Sequence, residues 1–145
     1  MTSHTVCLDW IRDQSFLMRD RNGFPIVMDQ PSGANAADLL PLSLIGCTVY
    51  DVVAILRKQR QQLTALRVSA TSVQDDEPPW RFRSIRIRYT FTGRGLKEAL
   101  VKRAIELSET RYCAVYATLR DAVEIVSEYE IAPDKDGEAK GEASA

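Results

Sequence analysis

Three cysteines are the residues of this sequence best suited to chemistry. Cys47 lies inside the apolar run "LIGCTVYDVVAIL" (residues 44–56), Cys113 lies in "SETRYCAVYATLRDAV" (108–123), and Cys7 is near the start. A thiol becomes a nucleophile as its thiolate, which nearby positive charge or a helix N-terminus favours. Cys113 meets both conditions, because it opens a predicted helix and follows Arg111 by two residues. A capping cysteine with no chemical role has the same pattern, so this signal alone is weak.

The surroundings of Cys47 within its own predicted helix are mixed. Asp51, four residues later on the same helical face, disfavours a thiolate, whereas Ser43, four residues earlier, can donate a hydrogen bond. Each cysteine taken alone is therefore more typical of a structural residue than of a catalytic one. In a reducing compartment a disulfide among them would be transient and catalytic. An odd number of cysteines fits one reactive pair and one bystander.

Other chemistries lack the residues that they need. The only histidine is His4, near the N-terminus, which argues against histidine-based triads and His-rich metal sites. The cysteines show no CxxC spacing, so we expect neither a metal nor another cofactor. The segment "FTGRGLKE" (91–98) lacks the third glycine and the lysine of phosphate-binding loops, and it is interpreted as a strand-to-helix turn.

Charge and hydropathy indicate a soluble chain without a nucleic-acid partner. The formal net charge of −1 provides no field that attracts polyanions, and the arginines of "RFRSIRIRY" (81–89) are assigned to a solvated face. The start "MTSHTVCLDWI" lacks the pattern of a signal peptide. Polar residues and a proline interrupt the apolar run at 39–56, so we interpret it as a core helix and expect no membrane and a cytoplasmic location.

Hydrophobic periodicity predicts one domain over residues 1–132 and a disordered C-terminal tail over 133–145. The predicted order is βββ, α, ββ, αα, β: strands at 5–11, 15–20 and 24–29, a helix at 39–60, strands at 66–72 and 84–92, helices at 96–109 and 113–123, and a strand at 124–131. The helix at 39–60 is apolar on more faces than one 145-residue chain can cover. This surplus predicts a homodimer.

The residues around the two internal cysteines resemble the OsmC/Ohr family, named for osmotic induction and organic hydroperoxide resistance. "ADLLPLSLIGCTVYDVVAILRKQRQQLTALRV" is similar to the family's ELLLASLxGCxxxDVVxIL helix and the strand after it, and "AIELSETRYCAVYATL" is similar to its AIxLSxxKYCxV segment. The resemblance covers about residues 5–132, and the DVV-type helix points to an OsmC-like subgroup. It implies an α+β fold, an intertwined homodimer whose long central helices are packed by antiparallel, six-stranded sheets.

The resemblance also implies roles for particular residues. Cys47 would be the peroxidatic cysteine, which is oxidised to a sulfenic acid by an organic hydroperoxide, and Cys113 the resolving cysteine that condenses with it. A dithiol reductant would then restore the pair. Asp38 holds the place of the family's supporting carboxylate. Nine residues at about 100° each place it on the helical face opposite Cys47, so we expect it to act from outside the helix or on the partner subunit.

The sequence departs from the family at one arginine, and a second function is compatible with it. Peroxidase members carry an arginine shortly before the central helix, whereas residues 22–56 contain none, and Arg19 and Arg21 are the nearest substitutes. An organic substrate suits a site lined by residues such as Leu44, Tyr50 and Val115. The alternative is a non-catalytic or weakly reactive dimer that binds a small apolar molecule in its interface pocket.

Overall fold

The first forty residues form an antiparallel meander. Strands β1 (Cys7–Arg12), β2 (Ser15–Arg19) and β3 (Pro25–Asp29) pair in the order β1-β2-β3. The Asp20 carboxylate accepts hydrogen bonds from the backbone N–H groups of Asn22 and Phe24, and Gly23 has φ of 85°. The side-chain cap and the glycine both favour a tight turn at this position. The predicted three-strand meander is confirmed.

The computed structural model describes residues 1–134. These fall into two units, Met1–Leu40 and a second unit that begins at Pro41, and each is described by itself. Most of the segment predicted to be a disordered tail, residues 135–145, lies outside the described residues. Asp134 belongs to the described part and forms an ion pair with Arg94, with 3.6 Å between Oδ2 and Nε.

The long helix α1 (Leu39–Lys58) contributes one face to the core of the second unit. Leu44, Thr48, Val52 and Leu56 recur every four residues and are all fully buried. The opposite side carries Leu42, Gly46, Tyr50 and Ala54, all of them exposed. By length and composition alone, α1 is the one helix within residues 1–134 that is apolar enough to cross a membrane. Its buried face belongs to the packed core, as the sequence predicts for a core helix.

The second unit contains a mixed sheet of two long strands and one shorter strand. Strands β4 (Gln62–Gln74) and β5 (Phe82–Arg94) are antiparallel, whereas β6 (Glu124–Ala132) pairs parallel with β5. The expectation of wholly antiparallel sheets is therefore wrong for β6. A parallel partner needs a crossover connection, and the helices between β5 and β6 supply it. The six-stranded sheets that the resemblance implies for a dimer stay a prediction.

The core face of β5 is the one that the sequence predicted. Ile85, Ile87, Tyr89 and Phe91 are fully buried and alternate with exposed Arg86 and Arg88 and half-buried Thr90. The rings of Tyr89 and Phe91 stack with centroids 5.8 Å apart. Because the aromatic residues point inward, the arginines lie on the solvated face without aromatic neighbours for base stacking.

The crossover consists of two helices joined by a π-helical turn. Gly95 has φ of 58° and follows β5 directly, and α2 (Glu98–Leu107) begins three residues later. The π-helical turn (Ser108–Tyr112) then leads to Cys113 and the short helix α3 (Ala114–Leu119). The predicted helices at 96–109 and 113–123 are both shorter in the structure, and the turn between them was not predicted.

Replacing Ile87 by alanine will destabilise the fold by about 2–5 kcal/mol, because the side chain is fully buried and its removal leaves a cavity. Chemical denaturation measures the change. Val73→Ala is the control, since Val73 is 56% exposed on β4, and it will change the free energy of unfolding by about 0.5 kcal/mol or less. Equal effects of the two substitutions would show that the core is not centred on β5.

Candidate functional site

The structure brings Cys47 and Cys113 together within the second unit. Cys47 is half-buried on α1, and Cys113 is 2% exposed at the residue that caps the N-terminus of α3. Both are free thiols, and they lie close enough for Cys47 to raise the pKa of the Cys113 thiol. Cys7 lies on β1 in the first unit and is exposed. The pair therefore consists of one thiol that solvent reaches and one that is shielded.

Cys113 holds its proton far more firmly than the sequence suggested. Burial is the main cause that raises its pKa, to about 12, and hydrogen bonding to the Cys47 sulfur raises it further. The backbone N–H of Tyr116 donates to the Cys113 sulfur at 3.3 Å and opposes these effects without reversing them. Arg111 is exposed and its guanidinium stacks over the Tyr112 ring at 5.6 Å. The expectation that Arg111 and a helix start favour the Cys113 thiolate is therefore wrong, because burial outweighs both.

Raising the pH above about 8.5, the ordinary thiol pKa, will destabilise the reduced protein through Cys113. The pKa of Cys113 is raised in the folded state. Below about pH 8.5 the thiol is neutral in both the folded and the unfolded state, so the free energy of unfolding does not change with pH through this group. Between that pH and about 12 only the unfolded state ionises, so the free energy of unfolding falls. The slope contributed is at most about 1.4 kcal/mol per pH unit.

Denaturation of the reduced wild type and of Cys113→Ala across this pH range isolates the effect. Other titrating groups are common to both proteins, so their contributions cancel in the difference. We expect the wild type to lose stability more steeply than the variant. Parallel curves would contradict a raised pKa for Cys113.

Ser108 joins the helix of Cys47 to the turn before Cys113. Its side chain is fully buried, and its hydroxyl is shared between the Asp51 carboxylate at 3.2 Å and the Thr48 carbonyl at 3.3 Å. The Asp51 carboxylate is therefore engaged with a donor. Ser43, the other expected partner of Cys47, is exposed, and within residues 1–134 its hydroxyl donates no hydrogen bond to Cys47.

Other buried polar groups lie near the two thiols. The Tyr89 hydroxyl is fully buried and has no hydrogen-bond partner among the described residues. Burial raises its pKa to about 12, an effect that the nearby Thr48 hydroxyl opposes. Burial also raises the pKa of Glu109, whose carboxylate accepts a hydrogen bond from Ser127. Sequence reasoning missed Ser108 and Glu109, whose only available signal was that both belong to the "LSETRYC" segment, and it predicted Tyr89 only as a core residue of its strand.

The remaining residues singled out in the sequence are divided between the two units. Asp38 is exposed immediately before α1 and belongs to the first unit. Its role as the carboxylate that supports Cys47 stays a prediction. Arg19, also in that unit, donates to the Gly23 carbonyl at 3.1 Å within the β2–β3 hairpin. Of the expected lining residues, Leu44 is wholly buried, Tyr50 is 78% exposed and Val115 is half-buried. Leu44 therefore belongs to the core, not to an open substrate site.

Comparison with known proteins identifies the family of this chain. A family model described as OsmC-like protein matches residues 29–128, which include α1, the mixed sheet up to β6 and both internal cysteines. The chain belongs to the OsmC-like protein family. Protein YhfA of Escherichia coli (strain K12) is 38% identical over 125 residues, which cover 84% of this chain and 93% of that protein.

Solved structures show the same OsmC-like fold. A hypothetical protein from Aquifex aeolicus VF5 superposes with a TM-score of 0.84 and 25% identity over 93% of this chain and 100% of that one. The organic hydroperoxide resistance protein OhrB of Bacillus subtilis superposes with a TM-score of 0.60 and 12% identity over 89% of this chain and 98% of that one. The second likeness supports the OsmC-like fold alone.

The geometry of this OsmC-like chain suits two-electron thiol chemistry. Cys47 is the sulfur that solvent can reach, and the shielded Cys113 beside it carries a proton at neutral pH. When a thiolate attacks a peroxide it becomes a sulfenic acid, and a second thiol nearby can condense with that acid to form a disulfide. Cys47 lies on α1 and Cys113 directly follows the π-helical turn, so the distance between the two sulfurs depends on how these two elements pack.

Proposed function

We propose that this chain is an OsmC-like, cysteine-based peroxide reductase that detoxifies organic hydroperoxides through a Cys47/Cys113 thiol–disulfide cycle. The observation that carries the proposal is the pairing of a half-buried Cys47 with a buried Cys113. Burial keeps the proton on Cys113, and Cys47 is the more exposed of the two residues, so Cys47 is the one that meets the peroxide. Cys7 is exposed on another unit and takes no part.

The proposed cycle has three balanced steps. The Cys47 thiolate attacks the O–O bond of the hydroperoxide, which becomes an alcohol on taking up a proton while Cys47 becomes a sulfenic acid. The Cys113 thiol then displaces the hydroxyl group, which leaves as water with the thiol proton, and an S–S bond forms. A dithiol reductant restores both thiols by exchange and becomes a disulfide itself.

The substrate class follows from the residues on the open side of α1. Tyr50 lies three residues after Cys47 and is 78% exposed, so an apolar ring flanks the accessible sulfur. An organic hydroperoxide gains apolar contact there that hydrogen peroxide cannot make. The name of the related OhrB refers to organic hydroperoxide resistance, which supports the same class. The cycle consumes a dithiol, so we place the protein in the reducing cytoplasm, with a role in the response to oxidative stress.

The consumption of cumene hydroperoxide and of hydrogen peroxide with dithiothreitol as the dithiol tests this function. We expect cumene hydroperoxide to be consumed with a kcat/KM at least about tenfold higher, which corresponds to roughly 1.4 kcal/mol of extra apolar contact. Tyr50→Ala will narrow this preference, and Val73→Ala, on an exposed part of β4, will leave it unchanged. A protein that consumes neither peroxide fits instead the alternative, a dimer that binds a small apolar molecule.

We also propose that the working unit is a homodimer built on the open face of α1. Leu42 is 53% exposed on this face, and a Cβ added at Gly46, one helical turn later, would meet nothing within 4 Å. Two such faces can approach closely because their centre is a glycine. Sedimentation at micromolar concentration will give about twice the 16.3 kDa chain mass. A folded monomer, or a dimer unaffected by Leu42→Asp, would contradict this interface.

A further inference from the structure

We propose that Ser108 and Asp51 are positioning residues for the resolving step, in which Cys113 condenses with the sulfenic acid on Cys47. We call the bond from the Ser108 hydroxyl to the Asp51 carboxylate and the Thr48 carbonyl the Ser108 latch. The inference rests on the proposed function for its role in the cycle. Independently of the cycle, the latch holds the Cys47 and Cys113 thiols next to each other.

One end of the latch lies on the helix of Cys47. Thr48 directly follows Cys47, and Asp51 lies one helical turn after it, so both acceptors move with the peroxidatic sulfur. A hydroxyl that donates to a carboxylate makes a charge-assisted bond, roughly twice as strong as a neutral one. Ser108 is fully buried, so no water competes for its hydroxyl.

The other end of the latch lies on the backbone that carries Cys113. The Cys113 N–H donates to the Ser108 carbonyl at 2.8 Å across the π-helical turn. The Cys113 sulfur in turn accepts a hydrogen bond from the Tyr116 N–H at 3.3 Å. Ser108 thus bonds to Cys113 through its backbone and to α1 through its side chain, so one buried residue links the two thiol-bearing elements.

The π-helical turn explains why a latch is needed at this point. A π-helical turn is a less regular arrangement than an α-helix and occurs frequently at functional sites. The structure holds it through a contact between residues 57 positions apart in the sequence, Ser108 and Asp51. Without that contact the turn can shift, and a displacement of about 1 Å between reacting atoms costs as much as about 10²-fold in rate.

Removing the Ser108 hydroxyl will slow the resolving step and spare the peroxide step. Reduced protein is mixed with one equivalent of cumene hydroperoxide, and samples quenched over time are assayed for sulfenic acid by dimedone labelling and for disulfide by mass. We expect Ser108→Ala to form the sulfenic acid within about threefold of the wild-type rate and the disulfide roughly 10–100-fold more slowly. Asp51→Ala will slow disulfide formation to the same extent, and Asp51→Asn, which keeps an acceptor for Ser108, will recover most of the disulfide rate.

Thr90→Val is the matched control, because it removes a hydroxyl that donates at 3.0 Å to another carboxylate of the same unit, that of Glu130 on β6. Both of its rates will stay at the wild-type values. A disulfide rate in Ser108→Ala equal to the wild-type rate would overturn the latch, as would equal slowing of that step by Thr90→Val. Melting temperatures of all variants exclude unfolding as the cause, and Asp51→Ala serves if Ser108→Ala does not fold.

Equilibration with glutathione separates a failure of the latch from a failure of the proposed function. The ratio of protein disulfide to dithiol at known glutathione poise gives the effective concentration of Cys113 at Cys47 without any peroxide. We expect Ser108→Ala to lower this concentration roughly tenfold or more, matching the loss in rate. If the wild type does not consume hydroperoxide but its effective concentration still exceeds that of Ser108→Ala tenfold, the latch is supported and the peroxidase function is refuted. An unchanged effective concentration would overturn the latch.

Discussion

Replacing Cys47 by serine will abolish hydroperoxide consumption. A serine hydroxyl remains protonated at neutral pH and does not cleave the O–O bond, so the variant lacks the nucleophile for the first step. The rate of cumene hydroperoxide loss with dithiothreitol will fall roughly 10³-fold or more, to that of the reductant alone. Serine is nearly isosteric with cysteine, so the melting temperature will change little at this half-buried position.

Cys7→Ser is the matched control for this result. Cys7 is exposed on β1 in the first unit, and its substitution will leave both the rate and the melting temperature unchanged. Retention of activity by Cys47→Ser, or an equal loss in Cys7→Ser, would contradict the role proposed for Cys47.

Replacing Cys113 by serine will stop the cycle after about one turnover and leave a sulfenic acid on Cys47. The first peroxide molecule is still reduced, because that step uses the Cys47 thiolate alone. No disulfide can follow without the second thiol, so a burst of about one equivalent of alcohol will precede a rate set by direct attack of the reductant. Rapid mixing with peroxide in excess over the protein measures the burst, and dimedone labelling identifies the trapped species.

The Cys113→Ser variant also distinguishes the two thiols from one another. If Cys113 were the peroxidatic residue, its substitution would remove the burst, and the sulfenic acid would appear instead in Cys47→Ser. A steady-state rate equal to that of the wild type would show that Cys113 has no part in turnover. The folded protein should tolerate the change, although Cys113 is 2% exposed, because the Tyr116 N–H can donate to the serine oxygen as it does to the sulfur.

Periodicity predicted the elements that depend on burial along a single segment. The alternation from Ile85 to Phe91 identified the core face of β5, because successive side chains of a strand point to opposite faces. The sequence predicted that α1 ends at Arg60, whereas it ends at Lys58. Arg60 has φ of 56°, so it lies outside the helical conformation. Such errors of two residues concern local backbone geometry that composition does not encode.

Contacts between distant segments decided what could not be predicted. Alternation indicates which face of β6 is buried but not which strand it pairs with, so its parallel register with β5 was missed. The local sequence of Cys113 contains a cation and a helix start, whereas its burial depends on the packing of the whole unit. The bond between Ser108 and Asp51 joins residues far apart in the chain, and neither residue type suggests the other.

Thiol counting after one equivalent of cumene hydroperoxide tests the central claim, a Cys47/Cys113 thiol–disulfide cycle, most directly. The protein contains three cysteines, and peptide mapping under non-reducing conditions assigns each of them. We predict that two thiols are lost, that Cys47 and Cys113 are recovered as one disulfide-linked peptide pair, and that Cys7 remains free. Three free thiols after exposure to excess hydroperoxide, or a disulfide that includes Cys7, would contradict the claim.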